Sequence, residues 1–226
     1  MPAKPERILL VEGREDREVI FHLCNHHGLD NRSLFEVIAK DGYENLRDDL
    51  RVRPRTFGLR AVGAIIDADA NIAQRWRSVC DALGSCGYTG LPTAPDEQGT
   101  IITPQGTLPR IGLWVMPDNR LSGMLEDFIQ QLIHQGDTLL PHAQGSVDRI
   151  PSTARRFQEV HRTKAVIHTW LAWQEEPGTP LGQAVTKHYL DAEHELARRF
   201  LAWLRNLFSP ANDPGTVSSS RLQRQP

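Results

Sequence analysis

Short continuous apolar runs alternate along this chain with stretches whose apolar residues recur every three or four positions. The first pattern belongs to strands buried on both faces, the second to helices with one buried stripe. Arg7–Val11 (RILLV) is too short for a helix and is bounded by Gly13, so it predicts a strand. Over 15–27, Val19, Ile20, Leu23 and Cys24 keep helical spacing until Gly28 stops it. The alternation continues with a strand over 35–39 (FEVIA), a short helix over Tyr43–Leu50, a strand over 59–66 (LRAVGAII) and a helix over 71–83 carrying Ile72, Trp76, Val79 and Cys80. Strand and helix taking turns predict an α/β fold, a parallel Rossmann-like sheet flanked by helices on both faces.

Over 84–109 Gly and Pro become dense, and a hairpin is predicted from 99–103, a turn at 104–107 and Arg110–Met116. Its first arm reads as an insertion dispensable for folding, its second as the fourth strand of the sheet. Helices follow over 123–134, 153–173 and 182–208, the last two separated by the breaker EEPGTP at 175–180. The polar, Ser-rich segment 209–226 predicts a disordered tail. These boundaries give a core over 1–150 with its insertion at 84–109, a helical extension over 151–208 packing on the core, and the tail.

Composition narrows the picture. No apolar stretch approaches the ~20 residues of a membrane span, and the polar segment 1–7 carries no secretory pattern. Cys24, Cys80 and Cys86 lack metal-ligand spacing and predict a reduced, cytoplasmic protein. Residues 1–150 hold 16 basic and 21 acidic side chains, net −5, and residues 151–226 hold 10 and 7, net +3. Such a split suits cations in one place and phosphates in another.

The acidic excess has a definite location. In a parallel sheet, ligands bind at the carboxyl ends of the strands, and there the sequence places Glu12, then Asp67 with Asp69, then Asp118. Residues two apart in an extended segment point the same way, so Asp67 and Asp69 are expected to present both carboxylates to one point. Glu12 and Asp16 are four apart and share a face if the first helix begins by Glu12. Carboxylates converging in this way repel one another unless a cation lies between them, and hard oxygen ligands select Mg²⁺ or Mn²⁺.

The segments LLVEGREDREVI, GAIIDADAN and GMLEDFI resemble the toprim domain of topoisomerases, bacterial primases, small maturase-type ribonucleases and the overcoming-lysogenisation-defect nucleases. The pattern is a Glu in a hydrophobic-Glu-Gly turn after the first strand and an Asp-x-Asp after the third, matched by Glu12 and by Asp67 with Asp69. WVMPDNRLSGMLEDFI and IHTWLAWQEEPGTP are similar, in addition, to a small bacterial family of unknown function with a toprim-like core. The wider resemblance covers most of 7–208. It implies metal-dependent phosphodiester chemistry: Asp67 and Asp69 would hold Mg²⁺ or Mn²⁺, Glu12 would act as ligand or general acid/base, and Asp16 with Glu126 would supply a second metal site. Nucleic acid, DNA or RNA, and a separate ATPase are the partners it implies. Asn71 departs from the acidic or glycine residue that often follows the Asp-x-Asp, and Tyr43, Tyr88 and Tyr189 stand in no evident active-site context. With a chain too short for a strand-passage gate, these departures argue against a topoisomerase.

Backbone contacts are expected from Arg47, Arg51, Arg53, Arg55 and Arg60, clustered around Pro54. Lys164, beside His161, Arg162 and His168, is the candidate for stabilising charge on a leaving oxygen. Trp170, Trp173 and Trp203 keep helical spacing and read as packing residues. Neither GxxxxGK[ST] nor GxGxxG occurs, which argues against nucleotide hydrolysis by this chain. The expectation is a Mg²⁺- or Mn²⁺-dependent nuclease. Its rivals are a catalytically silent nucleic-acid-binding or regulatory module and a phosphoryl-transfer enzyme acting on a small phosphorylated substrate.

Overall fold

The structure is a computed structural model that describes residues 5–104 and 106–209. Its elements run β1 (Arg7–Val11), α1 (Arg14–His26), α2 (Asn31–Leu34), β2 (Glu36–Ala39), α3 (Tyr43–Leu50), β3 (Ala61–Asp67), α4 (Ile72–Cys86), β4 (Thr100–Ile102), β5 (Arg110–Met116), α5 (Leu125–Gln131), α6 (Leu139–Asp148), α7 (Arg162–Ala172), α8 (Gln183–Thr186) and α9 (Glu195–Phe208). The strands form one sheet in the order β2-β1-β3-β5-β4. All neighbours pair in parallel except β4, which lies antiparallel on β5. This is the predicted α/β architecture.

Strand alternation sorts the core into two layers. Ile8 and Leu10, Val62, Ala64 and Ile66, and Ile111, Leu113 and Val115 face Leu46 and Leu50 of α3 and Trp76, Val79 and Leu83 of α4. The intervening Leu9, Val11, Ile65, Trp114 and Met116 face the other helices, among them α1, α5, α7 and α9. α4 keeps its place through ordinary helix punctuation: the Asn71 side chain accepts the Gln74 N–H, and Gly87 ends the helix at φ 106°.

On the second face, Gly63 and Gly112 are register partners across β3 and β5. Without side chains they leave a flat seat, and α9 sits in it. A Cβ at Gly112 would lie 2.5 Å from Leu207 Cδ2, and one at Gly63 would lie 2.6 Å from Leu9 Cδ1 and 3.0 Å from Leu207 Cδ2. Beside the seat, Trp114, Phe200 and Trp203 meet with ring centroids 5.2–5.8 Å apart, and Phe208 stacks on Phe35 at 4.3 Å. Each of these fully buried side chains contributes on the order of 1.5–3 kcal/mol.

Several expectations change. The first arm of the hairpin is integral to the sheet: β4 covers β5, and buried Thr100 accepts the Trp203 Nε1–H through its carbonyl at 3.4 Å. A deletion of this arm would bare β5 as the edge of the sheet. The helix expected over 153–173 begins only at Arg162, after turns at Pro151 and a 3₁₀ segment, Glu159–His161. The one expected over 182–208 is broken between α8 and α9, where His188 takes φ 58° and Asp191 donates its N–H to the Leu132 carbonyl at 2.7 Å. Trp173 is 42% exposed and packs no core, unlike Trp170 and Trp203. The expected disordered tail lies outside the described residues except for Ser209. Among the described residues no helix is long and apolar enough to cross a membrane.

Gly112→Ala is expected to destabilise the fold by about 1–3 kcal/mol, because Leu207 is fully packed and cannot yield. Gly84→Ala, in open space within α4, should stabilise by about 0.5–1 kcal/mol. Urea titration of the two variants checks the pair, and equal midpoints would refute the seat.

Candidate metal centre

The carboxyl ends of β1 and β3 are neighbours, and backbone hydrogen bonds fix what they carry. Glu12 follows β1 and its Oε1 accepts the Asp67 N–H at 2.9 Å. Asp67 ends β3 and its Oδ1 accepts the Leu125 N–H at 3.1 Å, tying the strand to the start of α5. Asp16 lies in the first turn of α1 and its Oδ2 accepts the Gly13 N–H at 3.0 Å. Gly42, at φ 116°, turns the chain after β2 so that its N–H reaches the Glu12 carbonyl at 2.9 Å.

These groups line one cleft of about 640 Å³ together with Asp69, Glu126 and Lys164. Burial pushes the Glu12 pKa from 4.5 up to about 7, against the Asp67 N–H and the Arg75 charge, which favour the anion. Burial likewise lifts Asp16 from 3.8 to about 6, although the Asp16 and Gly13 amides oppose it. Asp67 is raised well above the carboxylate range, first by burial and then by the Glu12 charge. Glu12, Asp16 and Asp67 line the cleft with hard oxygen donors of the kind that Mg²⁺ or Mn²⁺ takes, although their ligand atoms are not among the sets that already lie within 4.8 Å of one another.

Asp69 does not follow the alternation expected of it. β3 ends at Asp67, and Asp69 takes φ 50°, held by its N–H to the Gly123 carbonyl at 2.8 Å. Its carboxylate pairs with Arg75, one turn into α4. Asp69 thus forms a wall shared by the carboxylate cleft and a second cavity of about 380 Å³ between α3 and α4. Asp16 reaches the cleft although α1 begins at Arg14, after Glu12, because it caps its own helix at Gly13.

Glu126 is 2% exposed, and Lys164 Nζ reaches its Oε1 at 2.7 Å and Glu15 Oε2 at 3.4 Å. Burial works against the Lys164 ammonium, but the Glu126 and Glu15 contacts together hold its pKa above the ordinary value. Glu15, Glu126 and His168 bring ligand atoms within 4.8 Å of one another, as do His26, His27 and Glu193 at the far end of α1. At the first of these sets Lys164 already supplies positive charge. Asp118 lies outside the cleft, where its Oδ1 caps a turn by accepting the Arg120 and Leu121 N–H groups.

The predicted arginine cluster is dispersed. Arg53 is paired with Asp49 on two oxygens, Arg55 donates to the Ser85 carbonyl, and Arg51 pairs with Asp48. Arg60 precedes β3 and so stands at the opposite end of the sheet from Asp67. Arg47 alone of the five lines a cavity next to the carboxylates. Sequence reasoning missed Arg75 and Tyr43, whose ring lies 3.6 Å beneath the Arg75 guanidinium. The available signal was the place of Arg75 one turn into the helix that follows Asp-x-Asp.

Residues 6–209 match the model of a family described as protein of unknown function, DUF3226. No curated protein matches the chain. Among solved structures it is similar to the C-terminal region of the Burkholderia pseudomallei OLD protein, at 13% identity and TM-score 0.48 over 90% of this chain and 98% of that one. It is also similar to the C-terminal region of the Xanthomonas campestris pv. campestris OLD protein, at 13% identity and TM-score 0.42 over 89% and 94%.

A saturating divalent cation, at about 100 times its Kd, should raise the melting temperature by roughly 5–10 °C. Asp67→Asn keeps the acceptor for the Leu125 N–H, should melt higher than wild type in EDTA, and should lose most of the metal response. The pH response has a fixed sign. Glu12 and Asp16 titrate higher when folded, so between about pH 4 and 7 the folded state holds protons that the unfolded chain has released. Stability in EDTA should therefore fall as pH rises through that window and level off above it. A melting temperature in EDTA that climbs from pH 5 to 7.5 would contradict the burial of these groups.

Proposed function

Since this chain belongs to the DUF3226 family, whose description assigns no activity, the geometry of its own site is the starting point, and we propose that it is a divalent-cation-dependent nuclease with a toprim-type carboxylate centre. The observation that carries the reading is the convergence of Glu12, Asp16 and Asp67 on one cleft at the carboxyl ends of adjacent parallel strands, with Lys164 on the rim. The matches of Glu12 and of Asp67 with Asp69 to the toprim pattern support it.

Asp67, Asp69 and Asp16 would hold Mg²⁺ or Mn²⁺. When bound, the cation supplies Lewis-acid polarisation of a phosphate and an acidified water. Burial raises the Glu12 pKa to about 7 in the metal-free cleft, and its carboxyl would serve as the general acid/base. Its Oε1 is anchored on the Asp67 N–H, which leaves Oε2 for the transfer. Lys164 is held by Glu126 and offers its ammonium to charge developing on the leaving oxygen. With Lys164 on Glu126, the chain needs one cation at this cleft, the lysine serving where a second would.

The test is Glu12→Gln, which keeps size and one acceptor but loses the proton. Cleavage of single- and double-stranded DNA and RNA in Mn²⁺ should fall by at least about 10²-fold, with binding to uncleaved polymer little changed. Glu18→Gln, on a surface residue paired with Arg17, is the silent control. A wild type that binds but cleaves none of these polymers supports a silent binding module, and one that ignores polymers supports a small-substrate enzyme. Wild-type rates in Glu12→Gln would remove Glu12 from the chemistry.

A further inference from the structure

The cavity on the far side of Asp69 is lined by Tyr43, Glu44, Arg47, Asn71, Gln74 and Arg75, and its volume of about 380 Å³ is within the range of small-molecule sites. Two cations face it, and they are held differently. Arg47 pairs with Glu44 and Asp48, which are 68% and 60% exposed. Such solvated pairs are worth little and are readily exchanged. Arg75 is only 14% exposed, its guanidinium lies over the Tyr43 ring at 3.6 Å from the centroid, and its charge partner is Asp69. Asp69 is also a residue that would hold the divalent cation, so Arg75 and the cation compete for one carboxylate.

The geometry points to a metal-gated phosphate subsite: Arg75 neutralises Asp69 while the cation is absent, and once the cation takes Asp69, Arg75 binds a backbone phosphate of a polynucleotide lodged in this cavity. The Tyr43 ring keeps the guanidinium in place through the exchange, leaving its planar edge of N–H donors for a two-point grip on phosphate oxygens. Arg47 supplies the second positive charge, and the amino end of α4, a fifteen-residue helix, faces the same space. Metal and polynucleotide then bind with positive coupling, and linkage requires that each tighten the other by the same factor. The inference rests on the nucleic-acid reading of the carboxylate centre, but its first measurement needs neither nucleic acid nor turnover.

That measurement is the Mn²⁺ concentration giving half of the full thermal shift, in wild type, Arg75→Gln and Arg75→Lys. Removal of the competing charge in Arg75→Gln should tighten Mn²⁺ at least about 3-fold, whereas Arg75→Lys keeps a competitor and should stay near wild type. The second measurement is fluorescence anisotropy of a labelled, cleavage-resistant phosphorothioate oligonucleotide. Mn²⁺ should tighten its binding to wild type by about 10-fold and to Arg75→Gln by less than about 2-fold. The salt slope in Mn²⁺ should drop by roughly 0.7–0.9, the value of one phosphate contact. Opposite shifts in metal and polynucleotide affinity are what a merely structural arginine would not produce. Mn²⁺ affinity unchanged or weakened in Arg75→Gln overturns the proposal, as does an oligonucleotide response to Mn²⁺ equal to that of wild type. If the wild type never cleaves but shows these opposite shifts, the nuclease reading fails and the subsite stands.

Discussion

Three carboxyl groups lining one cleft, Asp16 buried and Glu12 and Asp67 partly so, set the terms for this molecule. Glu12, Asp16 and Asp67 are each tethered by a backbone N–H, so none can relax outward to escape the others. Their repulsion must be met by protons, by cationic side chains or by a bound ion. Two cationic side chains form ion pairs on the flanks of the cleft, Lys164 with Glu126 and Arg75 with Asp69, and Arg14 also lines it. Neither ion pair includes any of the three tethered carboxyls, and the raised pKa values of that trio express the remaining imbalance. A site left short of positive charge in this way favours a divalent ion over the water it would displace.

Holding such a cluster together needs a frame that does not yield. β1 and β3 are interior strands of the sheet, hydrogen-bonded on both sides, and each is covered by helices above and below. The paired glycines of β3 and β5 let α9 approach the sheet closely, and its aromatic residues lock that approach. The carboxylates therefore stand at the rim of a buried, closely packed core. This is where a geometry costly in electrostatic terms is best sustained.

The sequence made the sheet legible because fully buried parallel strands leave continuous apolar runs, and β1, β3 and β5 are such runs. It made Glu12, Asp16 and Asp67 legible as the residues those strands deliver. It hid α6, since Pro141 and Gly145 break the helical pattern, although Pro141 lies in a first turn whose N–H groups have no intrahelical partner. Asp69 reaches the same cleft as Asp67, but not by strand alternation: it lies two residues past the end of β3, a left-handed residue fixed by a tertiary hydrogen bond to Gly123. The arginine run misled for a related reason. Arg47 lies on α3 beside the cavity, while Arg51, Arg53, Arg55 and Arg60 follow α3, and Arg75, more distant in sequence, is folded back onto Tyr43. Proximity in sequence indicates a patch only where the chain does not travel.

The carboxyl-terminal helices bear on the site as directly as the strands do. Lys164 belongs to α7, yet its ammonium lies on Glu126 of α5 and near Glu15 of α1. Glu126 is almost fully buried, and without that ammonium it would add a further uncompensated charge to a cleft that already holds three. A boundary drawn at residue 150 would thus separate the acidic strand ends from a charge that makes their burial tolerable. Arg162, two residues before Lys164, pairs through two nitrogens with Asp148 at the end of α6, which fixes the start of α7 and with it the reach of Lys164. The negative bias of the first 150 residues and the positive bias of the rest then have a local counterpart: at this cleft a lysine from the second part offsets carboxylates of the first.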